Sequence, residues 1–210
     1  MTAPPSAGAA GAAGDPAALA GIAAILRDHR ETIVRLEALA PQILAFARLV
    51  HDCTAGGGTV WWFGNGGSAA DAQHLSAELV GRYVRDRRGL RSVALSTDTS
   101  LLTAVANDYG YERIFARQLE TLARPGDVAV AISTSGRSAN IVAGAAAAHA
   151  AGASVVTMTG AGGGAVEAHA ALRLRAPSTI TARIQECHGL IGHTVCELID
   201  GWHEGTPHVQ

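Results

Sequence analysis

Apolar side chains first recur at helical spacing. Leu19, Ile22, Ile25 and Leu26, followed by Ile33, Leu36 and Leu39, fall mostly three or four residues apart, so residues 17–55 are predicted to be helical. Pro41 lies inside this stretch, and its missing N–H predicts a kink or a fresh helical start there. The period then changes. Thr59-Val60-Trp61-Trp62-Phe63 is a short unbroken run of β-branched and aromatic residues, and it ends in Gly64-Asn65-Gly66-Gly67-Ser68. Similar runs lie at 92–96, 128–133, 154–159 and 172–175, with helical patterns at 69–81, 99–106, 112–122, 139–151 and 181–202. Continuous apolar strands joined by helix-length crossovers make βαβ units, whose parallel sheet is covered on both faces. The fold class is therefore α/β: a doubly wound parallel sheet flanked by helices at 56–204, with an N-terminal helical extension at 16–55.

Composition narrows the picture. Of the 210 residues, 48% are hydrophobic and 16% charged, enough apolar material for the core of one generous domain. The exception is the start. Residues 1–15 are an Ala/Gly/Pro-rich tail predicted to be disordered, without the charged start and apolar run of a secretion signal. The net charge of −2 leaves no basic surface for nucleic acid, and no run approaches the ~20 apolar residues that cross a bilayer. Cys53, Cys187 and Cys196 form no C-x-x-C pair and read as reduced thiols of a cytoplasmic protein. There is no lysine, which excludes Schiff-base lysine chemistry and a Walker-type phosphate loop.

In a sheet of this kind ligands bind beyond the carboxyl ends of the strands, which directs attention to the loops after Phe63, Leu95, Ile132 and Met158. The first of these, 64–68, has glycines that let backbone N–H groups approach a ligand, and Ser68 is the expected N-cap of the helix that follows. A tight turn would use the same glycines. The loop Ser133-Thr134-Ser135-Gly136-Arg137-Ser138 carries four hydroxyls before a helix. Capping that helix uses one or two of them, so the loop reads as a phosphate pocket. It is neither a Walker loop nor G-x-G-x-x-G, and a nucleotide is not the ligand it implies. Gly160-Ala161-Gly162-Gly163-Gly164 lacks helpful side chains and reads as a turn.

Two helices carry acid–base or metal-ligating pairs. His74 and Glu78 are four residues apart and share a helix face, an arrangement that suits metal ligation or proton transfer but is also common on solvated surfaces. On the last helix Gln185, Glu186, His188, His193 and Glu197 compete, and periodicity does not choose among them. His29, His51, His149, His169, His203 and His208 read as structural or solvent-facing.

Four strings together resemble the sugar-isomerase (SIS) domains of the phosphoheptose isomerase type, which share a flavodoxin-like sheet. They are FGNGGSAADAQHLSAELVGRY at 63–83, ANDYG at 106–110, GDV with AISTSGRSAN at 126–140, and ARIQECHGLIGH at 182–193. The resemblance runs from about residue 33 to 200. It implies His74, Glu78, Gln185 and His193 as ligands of one Zn2+ per subunit. It implies Asn65, Gly66, Gly67, Glu78, Asn107, Asp108, Ser133, Thr134, Ser135, Ser138 and Gln185 as sugar-phosphate contacts, with Glu78 and His193 catalytic. The implied reaction converts sedoheptulose 7-phosphate to D-glycero-D-manno-heptose 7-phosphate through an enediol, for nucleotide-activated heptose synthesis. The implied assembly is a homotetramer with active sites at subunit interfaces. Ala182 departs from relatives that carry an acid shortly before the glutamine. The alternative is a non-catalytic SIS regulator that binds a sugar phosphate, of the replication-initiator-binding type; those relatives lack parts of the His/Glu/Gln/His set that this chain keeps.

Overall fold

The computed structural model describes residues 15–203, so residues 1–14 of the tail predicted at 1–15, and residues 204–210, including His208, lie outside it; Asp15 is the N-cap of the first helix. Helix α1 (Pro16–Leu36) starts where the Asp15 carboxylate accepts from the N–H groups of Ala17 and Ala18. A 3-10 turn (Glu37–Leu39) separates it from α2 (Ala40–Ala55), and Pro41 falls in the first turn of α2, where no helical N–H is missed. The expected restart at Pro41 is what the structure shows.

Five strands follow: β1 (Val60–Gly64), β2 (Ser92–Ala94), β3 (Val128–Ile132), β4 (Ser154–Thr159) and β5 (Leu172–Arg175). All pair in parallel in the order β2-β1-β3-β4-β5. Helices α3 (Gly67–Val80), α4 (Thr99–Tyr109), α5 (Ala116–Leu122) and α6 (Ala139–Ala150) lie in the crossovers, a 3-10 turn (Ala165–His169) joins β4 to β5, and α7 (Thr181–Trp202) follows β5 and packs on the sheet. Strand alternation sorts the core into two layers. Val60, Trp62, Val130, Ile132 and Met158 face α2, α3 and α7, while Trp61, Phe63, Ala129, Ala131 and Val155 face the α4–α6 side. Each buried indole finds an acceptor: Trp61 Nε1 donates to Asp127 Oδ2 (2.8 Å) and Trp62 Nε1 to Ser92 Oγ (2.9 Å).

Several boundaries differ from the sequence reading, and three have a clear local cause. Ser68 is not an N-cap: α3 begins at Gly67, the cap is Gly66 at φ 56°, and Ser68 is buried inside the first turn. The strand expected to reach residue 96 stops at Ala94, because Thr97 turns its hydroxyl back to Ala94 O (2.9 Å) and Asp98 caps α4. Residues 111–113 form a 3-10 turn and not the start of a helix, since Ile114 and Phe115 must turn into the core before α5 begins.

Helices α3 and α7 meet along a close seam. At Gly192 an added Cβ would lie 2.3 Å from Leu75, so glycine is what lets the two helices approach. Beyond it, the buried Arg87 donates through Nε to Asp200 Oδ1 (2.6 Å), through Nη1 to Leu79 O (2.9 Å) and through Nη2 to Glu78 O (2.8 Å). The other oxygen of Asp200 accepts from the N–H groups of Val84 (2.8 Å) and Arg85 (2.9 Å). Burial alone would raise the Asp200 carboxyl, but these donors hold it below the usual carboxylate range. Removing one partner of such a pair strands the other, so Arg87→Met should cost ~3–5 kcal/mol in urea unfolding at pH 7. The lowered Asp200 stabilises the fold above the ordinary carboxylate pKa, and that contribution is lost as pH falls through its folded value. His188, which burial pushes down to about 4, acts in the same direction between its ordinary pKa and 4. The urea midpoint should therefore be lower at pH 4.5 than at pH 7.

Candidate active site

The strand order reverses between β1 and β3, and the two loops singled out by sequence leave the carboxyl ends of these two strands. Between them lies a cleft of ≈ 60 Å³ lined by Asn65, Ser68, Ile132, Ser133, Thr134 and Ser138. Asn65 is fixed by a reciprocal amide pair: its Nδ2 donates to Asn140 Oδ1 (2.9 Å) and Asn140 Nδ2 donates to its Oδ1 (2.8 Å). Tyr111 Oη adds a donor to Asn65 Oδ1 (3.3 Å). The loop hydroxyls divide by task. Ser133 Oγ accepts from Gly136 N–H (3.1 Å) and shapes the turn. Ser135 Oγ accepts from Arg137 N–H (3.3 Å). Ser138 occupies the N-cap position of α6 yet makes no side-chain cap bond. The positive end of α6 thus opens on the cleft, with the Ser138 hydroxyl beside it.

A second group stands on the α3–α7 seam. His74 Nε2 and His193 Nε2 face each other at 2.7 Å, and Glu78 Oε1 lies 3.7 Å from His74 Nε2. Tyr83 stacks on the His193 ring with centroids 5.3 Å apart and holds its plane. Burial, aided by the carboxylates of Glu197 and Glu78, pushes the Tyr83 phenol up, so it stays a neutral donor. Gln185 is elsewhere. Its amide lies against Gly67, where a Cβ would meet Nε2 at 2.2 Å, and Gly67 precedes His74 by about 10 Å of helix axis. Within the chain His74, Glu78 and His193 come together, while Gln185 lies against Gly67 and reaches them only if its side chain leaves that glycine. Among the described residues, no three His, Cys, Asp or Glu side chains alone are placed to hold a metal ion. Asn107 and Asp108 bond to each other (2.8 Å) on the exposed end of α4 and do not line the cleft.

The competing residues of α7 are accounted for. Glu186 accepts from His29 Nδ1 (2.6 Å) and from Arg183, and so ties α1 to α7. His188 is fully buried with Nε2 3.2 Å from Thr159 O, and Glu197 is exposed. Cys196, beside the seam, is pushed up to about 12 by burial and Glu78, which keeps it a thiol at neutral pH. Sequence reading passed over Tyr83, Tyr111 and Asn140. Tyr83 and Asn140 belong to the strings that carry the family resemblance, and Tyr111 directly follows one; nothing in local spacing says what any of them touches.

A family model described as "SIS domain" matches residues 26–160. The chain is 53% identical over 165 residues to a phosphoheptose isomerase of Roseiflexus sp., covering 79% of this chain and 84% of the relative. It is 48% identical to a phosphoheptose isomerase of Aquifex aeolicus, over 84% of this chain and 93% of the relative. The chain belongs to the SIS-domain family, among the phosphoheptose isomerases. Its fold superposes on the solved phosphoheptose isomerase of Neisseria gonorrhoeae with a TM-score of 0.82 at 41% identity, covering 87% of this chain and 98% of that one. This is an enzyme of sugar-phosphate isomerisation.

Because Gly192 sets the helix separation next to His193, Gly192→Ala should cost ~1–3 kcal/mol and lower turnover by parting His193 from His74. Gly189→Ala, on the same helix with open space around it, should instead stabilise by ~0.5–1 kcal/mol and leave turnover near the wild-type rate. Thermal unfolding and rate measurements on the two variants check this contrast.

Proposed function

We propose that the substrate is sedoheptulose 7-phosphate and the product D-glycero-D-manno-heptose 7-phosphate. The observation that carries the reading is the meeting of His74 and His193 beside Glu78, on the same helix whose first turn enters the hydroxyl-lined cleft. The phosphate sits in the 133–138 loop, far from the reacting carbons, and supplies binding energy that holds the sugar in place. Asn65 lines the same cleft as that loop and Gln185 lies against Gly67, so Asn65, Gly66, Gly67 and Gln185 bear on the sugar hydroxyls. Glu78 takes a proton from the hydroxymethyl carbon next to the carbonyl, giving an enediol, and returns it to the neighbouring carbon. His193, its ring plane held by Tyr83, moves the hydroxyl proton from O1 to O2 so that the aldehyde forms at C1.

The donor set fits a zinc ion. Two imidazole nitrogens that face each other at hydrogen-bonding distance are donors of the type Zn2+ takes, and both would have to turn their lone pairs to the ion and part slightly to hold it. His74, His193 and Glu78 would hold it, with Gln185 as a fourth donor after it swings from Gly67. Zinc when bound supplies Lewis acidity to the carbonyl and adjacent hydroxyl. Glu78 then serves as base only while its carboxylate is off the ion. Gln185, Asn107 and Asp108 lie away from the histidine pair within one chain, and Leu19, Ile22, Ile25 and Leu26 are more than half exposed on α1. Both observations favour a homotetramer that completes its sites at subunit contacts, and the free thiols of Cys53, Cys187 and Cys196 favour the cytoplasm. Among the described residues no helix is long and apolar enough to cross a membrane.

Incubation with sedoheptulose 7-phosphate should yield the aldose, with the yield lost to a chelator and restored by Zn2+. Glu78→Gln should lower turnover by at least ~10²-fold with the thermal midpoint held within a few degrees. Full activity in that variant refutes the base, and chelator-resistant turnover refutes the metal.

A further inference from the structure

The loop at 160–164, which composition reads as a plain turn, is built into the back of the phosphate loop. Gly160 N–H donates to Thr134 O (3.1 Å) and Val166 N–H to Gly136 O (3.1 Å). Gly136, at φ 62°, crosses this loop so closely that a Cβ on it would lie 2.3 Å from Gly163 O. A Cβ on Gly164 would in turn lie 2.4 Å from Gly136 O. Two backbones touch here with no side chain between them, which only glycine permits.

Behind the crossing stands Glu167, only 7% exposed, in the 3-10 turn Ala165–His169. Its carboxylate lies against Gly163, where a Cβ would meet Oε1 at 2.7 Å. It accepts from Thr159 Oγ1 (3.1 Å), from Arg175 Nε (2.9 Å) and from a second Arg175 nitrogen, Nη2. Arg173 donates to the Glu167 carbonyl (3.1 Å). The Arg175 hydrogen bond, against the opposing effect of burial, holds the Glu167 carboxyl below its usual range, so it is an anion at neutral pH. The Thr159 carbonyl is itself held by the buried His188, whose ring stays neutral and donates through Nε2.

We propose that Glu167 is a positioning residue for the anion site. Clamped by Thr159 and Arg175, its carboxylate fixes the crossing of Gly136 over Gly163 and so aims the hydroxyls of Thr134, Ser135 and Ser138 at the phosphate of the substrate. It does this without touching the substrate.

The inference rests on the sugar-phosphate reading above, so the unsubstituted enzyme is first tested for competitive inhibition by inorganic phosphate. Glu167→Gln keeps the shape and removes the charge that Arg175 clamps. It should raise KM for the sugar phosphate and the inhibition constant of inorganic phosphate together, by roughly tenfold, with kcat within about twofold. Substituting a buried carboxylate can unfold the chain, so Arg175→Met, at a side chain 51% exposed, is the second variant and should move both constants the same way. Arg175→Lys keeps one charged donor and should recover part of the loss. A lower thermal midpoint with both constants unchanged in a folded variant overturns the positioning role, as does a loss confined to kcat. Absence of phosphate inhibition in the unsubstituted enzyme overturns the 133–138 loop as the phosphate site, and is seen before any variant is made.

Discussion

The distance between α3 and α7 governs this molecule. His74 and Glu78 stand on one helix and His193 on the other, and nothing local to either brings them together. The separation is set at two levels. Leu75 pressed on Gly192 defines how near the helices come, and the buried Arg87–Asp200 pair fixes their far ends. The first is a matter of volume and the second of charge. Interiors are packed too tightly to absorb a misfit in the first, and a buried charge left without its partner is too costly to tolerate in the second.

The sheet contributes a different constraint. A parallel sheet with its order reversing between β1 and β3 must leave a crevice there, whatever the chain does elsewhere. The residues that fill it need only short hydroxyls and backbone donors, because the helix ends supply the positive potential. A phosphate held there, as proposed, needs no lysine, and the one arginine of the loop, Arg137, is exposed.

Much of this was legible in the sequence because it is local. Strand runs such as 59–63 and helix periods such as 181–202 report burial against neighbours two to four residues away, and the hydroxyl count of 133–138 exceeds what a cap requires. The Pro41 restart follows from one missing N–H. What could not be read is non-local. Glu186 looked as eligible as Gln185 until His29, 157 positions earlier, was seen to occupy it. His188 looked like a ligand but is sealed under Thr159. The glycines at 160–164 looked passive because what they touch lies on another loop, and Ser68 looked like a cap because local propensity favours serine there over glycine. The placement of Gln185 against Gly67 likewise depends on how two distant helices lie side by side.

Arg87 reaches further than its role in stability. Through Nη2 it grips the carbonyl oxygen of Glu78, the same residue whose carboxylate faces His74. The main chain beneath that carboxylate is therefore pinned from the protein interior, while the carboxylate itself is not. If Glu78 alternates between holding a cation and taking a proton, it does so by turning about its own side-chain bonds on a fixed pivot. Such turns take picoseconds to nanoseconds when unhindered. The exchange of roles then needs no lid, hinge or shift of helix.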